Sequence, residues 1–97
     1  MDAVYKGGCA SELFNNDFIK TRARAYEDYQ QGGVKKNDFL HVIAKILSGR
    51  TAEQKKKLSA AILHELQQLL VKVEPITVTV EVIDIDKSTF SEFMRLP

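Results

Sequence analysis

Cysteine is nearly absent from this sequence, since Cys9 is the only one among 97 residues. A lone thiol cannot form an intramolecular disulfide, and it excludes zinc sites that are built from several cysteines. We therefore expect a reducing, cytoplasmic setting. No apolar run approaches the length of a membrane span, and residues 1–8 lack the basic start and apolar stretch of a signal peptide. The sequence gives no indication of export.

An excess of charge of one sign is also missing. Fourteen Lys and Arg residues stand against thirteen Asp and Glu residues, which gives a formal net charge of +1. Such a balance provides no broad electrostatic surface for nucleic acid or for an anionic membrane, so we expect neither as a partner. The hydrophobic fraction of 44% and the charged fraction of 28% are typical of soluble globular proteins. A chain of this length predicts one domain over residues 1–97.

Two strands are predicted in the first half of the chain. Residues 18–26 alternate between two sides, which is the pattern of a half-buried strand with a basic outer row. The pair Gly32-Gly33 predicts a turn, and therefore a hairpin with the strand that follows. Residues 39–47 are apolar on both faces, which predicts the central strand of a covered sheet.

A helix and a third strand are predicted in the second half. Residues 51–54, Thr-Ala-Glu-Gln, have the form of a capping box, so a helix should begin at Thr51. Glu74-Pro75 should end it. The alternating residues 76–85 then predict a strand, which a right-handed crossover makes parallel to residues 39–47. One apolar stripe runs along the predicted helix: Leu58, Ile62, Leu66, Leu69, Leu70 and Val73.

The ends of the chain are predicted to be less regular. Residues 2–11 could form one or two helical turns, although Gly7 and Gly8 disfavour a helix. Residues 87–97 carry a few apolar side chains that could dock a short helical turn against another subunit. The resulting order of helix, strand, strand, helix and strand is an α+β pattern.

The most specific local motif is an arginine just before the predicted helix. In residues 48–51 a strand ends, Gly49 turns the chain, and Arg50 stands next to the helix cap. Backbone N–H groups, the positive end of the helix dipole and the guanidinium could together bind a carboxylate. The alternative interpretation is an exposed arginine beside an ordinary cap.

Lys20, Arg22 and Arg24 form a second basic group, because the period of two in a strand places them on one face. Together with Arg50 they would suit a small dianionic substrate. The alternative is a solvated row of charges at the edge of a sheet.

Other candidate clusters are weaker. Cys9, His41 and His64 could supply a nucleophile and a base, but nothing in the sequence determines their mutual geometry, so packing roles are the simpler interpretation. Asp84 and Asp86 fall on one face of a predicted strand, yet two carboxylates rarely hold a metal ion tightly.

Three segments match the motifs of one protein family. Leu13-Phe14 with residues 19–22 is similar to its Phe-(x)4-Ile-Arg-(Ser/Thr)-Arg segment, and residues 39–42 are similar to its Phe-Val-His strand. Residues 49–54 are similar to its Gly-Arg-(Ser/Thr)-x-Glu-Gln turn. Over residues 14–93, about four fifths of the chain, the sequence resembles the carboxymethyl-hydroxymuconate isomerase branch of the tautomerase superfamily.

This resemblance implies a tautomerase-like fold of β-α-β units with a mixed sheet, assembled into a homotrimer. It implies an isomerase of aromatic catabolism that moves a proton within small unsaturated keto-dicarboxylates, without a metal or organic cofactor. The family's base is an amino-terminal proline, whose pKa an apolar pocket lowers toward neutrality. Arg50 and Arg22 would bind the substrate carboxylates and stabilise the dienolate, with assistance from Lys20. Lys20 stands where the family usually has Arg, and Lys lacks the bidentate fork.

The beginning of the chain departs from the family pattern. Residues 1–4 resemble the middle of the family's first helix, and no proline precedes Pro75. We therefore expect a first strand and part of a helix to be missing, and no catalytic base to be present in these 97 residues. The expected function is that of a muconate-type isomerase, with little or no turnover by this chain itself. A catalytically silent trimeric structural or anion-binding module is the alternative.

Overall fold

The structure is a computed structural model that describes residues 1–33 and 38–95 of the chain. It contains two helices and two strands, in the order α1 (Asp2–Ala10), β1 (Asp38–Leu47), α2 (Ala52–Leu69) and β2 (Ile76–Ile85). Short 3-10 turns lie at Asn16–Phe18 and Lys87–Thr89. The predicted α+β class is confirmed. Within the described ranges, no helix is both long and apolar enough to cross a membrane.

Strands β1 and β2 pair in parallel over their whole length, from Asp38 opposite Ile76 to Leu47 opposite Ile85. The pairing confirms the predicted strand-helix-strand unit, because parallel neighbours need a crossover connection such as α2. The sequence predicts β1 as a central strand of a mixed sheet. In the part of the chain that the structure describes, the sheet has only these two strands, so β1 has one partner.

One face of the sheet packs against α2, while the opposite face is open to solvent. Alternate residues of both strands, among them Val42 and Val80, contact the core on the α2 side. The buried hydrophobic side chains of the described core are Ile46, Leu58, Ile62 and Leu66. We call the other side the open face, and it carries Phe39, His41, Ile43 and Lys45 of β1 with Thr77, Thr79, Glu81 and Ile83 of β2.

The beginning of α2 follows from its local sequence. The Thr51 Oγ1 accepts a hydrogen bond from the Gln54 N–H at 3.1 Å, and the Gln54 Oε1 accepts one from the Thr51 N–H at 2.9 Å. This reciprocal capping box confirms the predicted start. Leu58, Ile62 and Leu66 recur every four residues, so they share one face, and burial of each such side chain contributes about 1.5–3 kcal/mol.

The end of α2 differs from the prediction. The helix stops at Leu69, before the expected end at Glu74. Leu69 is 67% exposed and Val73 is 39% exposed, so the apolar stripe stops being buried after Leu66. A turn closed by the Val73 N–H and the Leu70 carbonyl at 2.9 Å replaces the last expected helical turn.

Helix α1 lies close to α2 because Gly7 has no side chain. A Cβ on Gly7 would lie 2.5 Å from the Cα of Ile62, which is closer than such atoms can approach. Ala3 and Val4 pack against the core from the same helix. The contact with α2 therefore explains why residues 2–10 are helical although two glycines lower the helix propensity.

The predicted strand over residues 18–26 is wrong for the described chain. Phe18 belongs to the turn Asn16–Phe18, and residues 19–26 have no regular secondary structure. A strand needs a hydrogen-bonding neighbour, and no described segment pairs with these residues. The hairpin therefore lacks its first strand. Gly32 does turn the chain with a φ of 58°, and residues 34–37 of the predicted hairpin lie outside the described residues.

Beyond β2 the described chain forms the short 3-10 turn Lys87–Thr89, and no α-helix follows in its described part. Phe90 is 44% exposed and Phe93 is 83% exposed. Docking of this tail against another subunit therefore stays a prediction. Residues 96 and 97 lie outside the described part.

Candidate functional site

The carboxyl ends of the two parallel strands meet at one edge of the sheet. The Ser48 N–H donates to the Ile85 carbonyl at 2.8 Å, and the Lys87 N–H donates to the Ser48 Oγ at 3.3 Å. These bonds hold the turn after β1 against the turn after β2. We call residues 48–50 and 86–89 the carboxyl edge. Ligands of sheets with parallel strands commonly bind at such an edge, because loops from several strands converge there.

Arg50 is the best-oriented side chain of the carboxyl edge. Gly49 has a φ of 121°, a conformation that favours glycine, and it turns the chain so that Arg50 points back toward the segment after α1. The Arg50 Nη2 donates to the Leu13 carbonyl at 3.0 Å, and its Cζ lies 5.4 Å from the centre of the Phe14 ring. The half-buried guanidinium is therefore held by two contacts, and it has further N–H groups with which to bind an anion.

The start of α2 adds less to the site than the sequence suggests. The capping box already uses the N–H groups of Thr51 and Gln54. Glu53 places an exposed carboxylate on the first helical turn, where it opposes the attraction of the helix dipole for an anion. The guanidinium of Arg50 must therefore supply most of the attraction at this position.

The structure does not gather the second basic group on one strand face. The Lys20 Nζ lies 3.3 Å from the Glu92 Oε2, in an exposed ion pair. Arg22 is exposed and forms no ion pair with the residues that the structure describes. The Arg24 Cζ lies 5.6 Å from the centre of the Tyr26 ring. Without a strand over residues 18–26, these side chains have no common orientation toward Arg50.

Lys87 lies at the carboxyl edge, and the sequence reasoning did not select it. Its Nζ is 3.5 Å from the position that a Cβ on Gly49 would occupy, next to the turn that carries Arg50. The sequence does contain a signal that places Lys87 near Arg50. Once residues 39–47 and 76–85 are predicted to be parallel, the residues after each of them must emerge at the same edge.

Asp86 organises the turn that begins at Lys87. Its Oδ1 accepts hydrogen bonds from the Ser88 hydroxyl at 2.7 Å and from the Ser88 N–H at 2.9 Å. These bonds lower the pKa of the Asp86 carboxyl below its ordinary value, with the hydroxyl making the larger contribution, against a small opposing effect of desolvation. Asp84 is engaged differently, because its Oδ2 lies 3.3 Å from the Lys55 Nζ on α2. Each carboxylate thus has a structural partner.

The candidate nucleophile and bases are not brought together. His41 lies on the open face, where its Nδ1 is 2.6 Å from the Thr79 Oγ1 and its Nε2 is 3.6 Å from the Glu81 Oε1. His64 is exposed on α2, which covers the opposite face of the sheet, and its Nε2 is 3.1 Å from the Gln68 Nε2. Cys9 is half-buried on α1. This arrangement gives no nucleophile and base pair among them.

Two shallow clefts lie elsewhere on the described molecule. One of about 320 Å³ sits on the open face between Phe39, Thr79 and the segment around Gln31. The other, of about 260 Å³, is lined by Leu63 and Val78 among others. Arg50 lines neither cleft. The oriented guanidinium of Arg50 therefore lies outside both of these clefts.

The described chain is thus a small β-α-β domain with an oriented arginine at the carboxyl edge of its sheet. The chain belongs to the 5-carboxymethyl-2-hydroxymuconate isomerase family, whose family model matches residues 1–92. This match confirms the resemblance drawn from the residues around Arg50 and the two accompanying motifs, and it indicates an isomerase-type protein. No curated protein matched the chain in a further comparison.

Proposed function

We propose that this chain binds the carboxylates of a muconate-type unsaturated keto-dicarboxylate, as part of a cofactor-independent isomerase of the cytoplasm. The observation that carries the proposal is the orientation of Arg50, whose guanidinium is held by the Leu13 carbonyl and the Phe14 ring. A guanidinium that is already held in place can bind a carboxylate or a developing oxyanion with little further ordering. Membership of the family supports the reaction type, which is an isomerisation.

The reaction would be a proton transfer next to a carbonyl group. A base removes a proton from carbon or from an enol hydroxyl, the negative charge is carried on the oxygen of the resulting dienolate, and the proton is then delivered to another carbon of the dienolate. Arg50 would stabilise that charge from the carboxyl edge. The 97 residues contain no proline before Pro75, and the nitrogen of Pro75 is a non-basic tertiary amide. We therefore propose that the 97-residue polypeptide binds dicarboxylates but catalyses little turnover.

Arg22 and Lys20 are the other proposed substrate-binding cations, and they require a partner chain. Residues 18–26 keep the alternating pattern of a strand, although no described segment pairs with them. Pairing with a second copy would restore the strand and align Lys20 with Arg22 on one face. The open face also exposes apolar side chains, with Phe39 at 47% and Ile43 at 51%. Both features favour the proposed homotrimer, since association would cover them.

The second candidate function is a catalytically silent trimeric module that binds anions or serves as structure. It is supported by the oriented guanidinium of Arg50, which can bind an anion without any catalytic base. Both candidates predict little turnover by the 97-residue polypeptide, so they differ in the rate at which the natural gene product ketonises a hydroxymuconate. A rate well above the uncatalysed one that disappears in Arg50→Ala identifies an enzyme. A rate equal to the uncatalysed one, together with dicarboxylate binding, identifies the silent module.

The binding experiment uses the 97-residue polypeptide and trans,trans-muconate in an isothermal titration. Arg50→Ala should weaken binding at least about tenfold, because a hydrogen bond to a charged group contributes about 1.5–3 kcal/mol. Arg50→Lys should lie in between. The control is Lys72→Gln, beyond the far end of α2, whose 18 residues span about 27 Å. An affinity that Arg50→Ala leaves unchanged would contradict the proposal, and a monomer at all concentrations in sedimentation would contradict the trimer.

A further inference from the structure

We propose that Lys87 recognises the second carboxylate of the substrate, beside the carboxylate that Arg50 binds. The inference deepens the proposed function and rests on it, because it assigns a specificity-determining residue to the same edge. Lys87 is the first residue of the turn after β2, and Arg50 lies three residues after the end of β1. Since the strands are parallel, both side chains leave the sheet at the carboxyl edge.

The position of Lys87 is defined by its backbone as well as by its side chain. Its N–H donates to the Ser48 Oγ at 3.3 Å, and the turn behind it is held by Asp86. Its Nζ lies 3.5 Å from where a Cβ of Gly49 would be. The ammonium group therefore lies at van der Waals distance from the turn that presents Arg50.

The charges around Lys87 leave it available for an anion. Of its two acidic neighbours in sequence, Asp84 lies against Lys55 at 3.3 Å, and Asp86 accepts hydrogen bonds from Ser88. Among the described residues, neither Lys87 nor Arg50 lies within 4.0 Å of a carboxylate oxygen. Because Asp86 and Glu53 keep negative charges close to this edge, the preference depends on direct contacts with two separate cations, which a dianion can make and a monoanion cannot.

This arrangement predicts a preference for two carboxylates over one. A monocarboxylate needs only the oriented guanidinium of Arg50, whereas a dicarboxylate can reach the ammonium of Lys87 as well. Lys87 is exposed, so its contribution is that of a solvent-screened ion pair. The effect should therefore be a few-fold in affinity, and it should shrink as the ionic strength rises.

The test compares trans,trans-muconate with sorbate, a six-carbon diene that carries one carboxylate, by isothermal titration. The variants are Lys87→Gln and Lys87→Arg, with Lys72→Gln as the control for loss of one positive charge far from the edge. Lys87→Gln should weaken muconate binding about three- to fivefold at low salt and change sorbate binding less than about twofold. Lys87→Arg should retain the preference for muconate, and Lys72→Gln should leave both affinities unchanged.

Several outcomes would overturn the inference. If Lys87→Gln leaves muconate binding unchanged while Arg50→Ala abolishes it, Lys87 has no role and the proposed function stands. An equal loss of affinity for muconate and for sorbate would also contradict a selective role. Lys87 would then interact with the carboxylate that both ligands carry. If the parent polypeptide binds neither ligand, the proposed function and this inference both fail. Sorbate binding by Lys87→Gln shows at the same time that the variant has folded.

Discussion

The Arg50 guanidinium donates a hydrogen bond of 3.0 Å to the carbonyl of Leu13, which lies 37 residues earlier in the chain. This contact ties the start of α2 to the segment that follows α1, and it orients the charge at the carboxyl edge. Arg50 therefore has a structural role in addition to the binding role that we propose for it. Variants of Arg50 have to be examined for both.

Arg50→Ala should lower the free energy of unfolding by about 1–3 kcal/mol, because it leaves the partly buried Leu13 carbonyl without its donor. Arg50→Lys should lose less, since an ammonium group can still donate one hydrogen bond. Urea denaturation followed by circular dichroism measures both values. Equal stability of all three proteins would show that the contact with Leu13 does not contribute to the fold.

Gly7→Ala should destabilise the protein by about 1–3 kcal/mol, because the new methyl group would meet the backbone of Ile62 at 2.5 Å. Gly8→Ala is the matched control on the same helix. Its methyl group would meet the flexible Cδ1 of Ile19 at 3.2 Å, which can move aside. Gly8→Ala should therefore be neutral or slightly stabilising through its higher helix propensity. Thermal unfolding of the two variants side by side tests the close approach of α1 and α2.

Thr51 and Gln54 should show a measurable coupling, because each side chain satisfies the backbone N–H of the other. Thr51→Ala alone should cost about 1 kcal/mol of stability. In a double-mutant cycle with Gln54→Ala, the double variant should lose less stability than the sum of the two single losses. The difference should be about 0.5 kcal/mol or more. Strictly additive losses would mean that the two halves of the capping box act independently.

The turn at Lys87 should loosen at acid pH. Hydrogen bonds from Ser88 lower the pKa of Asp86 in the folded state, so the ionised carboxylate stabilises the fold at neutral pH. That stabilisation is present above the unfolded pKa and is lost as the pH falls below about 4, through the folded pKa. In NMR titrations the Ser88 amide signal should shift in this range. In Asp86→Asn the Ser88 amide signal should no longer shift in this pH range. If it shifts in the variant as it does in the parent protein, Asp86 is not the cause.

Much of the β-α-β unit could be predicted because its signals are local. The capping box at Thr51 needs only four residues, and the alternation of residues 76–85 is visible without any knowledge of the partner strand. The start of α2 and the whole of β2 agree with the prediction for this reason. The alternation of residues 18–26 is an equally clear signal, but a strand also needs a neighbour, and the described chain provides none.

The candidate site was harder to predict, because its contacts join distant parts of the sequence. The turn around Gly49 indicated that Arg50 would stand at the start of a helix. It could not indicate that Leu13 and Phe14 would hold the guanidinium, since the two segments meet only through the packing of α1 on α2. The position of Lys87 against Gly49 likewise depends on the register of β1 and β2.

Binding of a dicarboxylate at the carboxyl edge can be followed through the amide chemical shifts of the isotope-labelled polypeptide during titration with trans,trans-muconate. Our proposal requires that the largest changes fall on Gly49, Arg50 and Lys87, and that they vanish in Arg50→Ala. Changes concentrated on the open face around Phe39, or the same changes in Arg50→Ala, would contradict it.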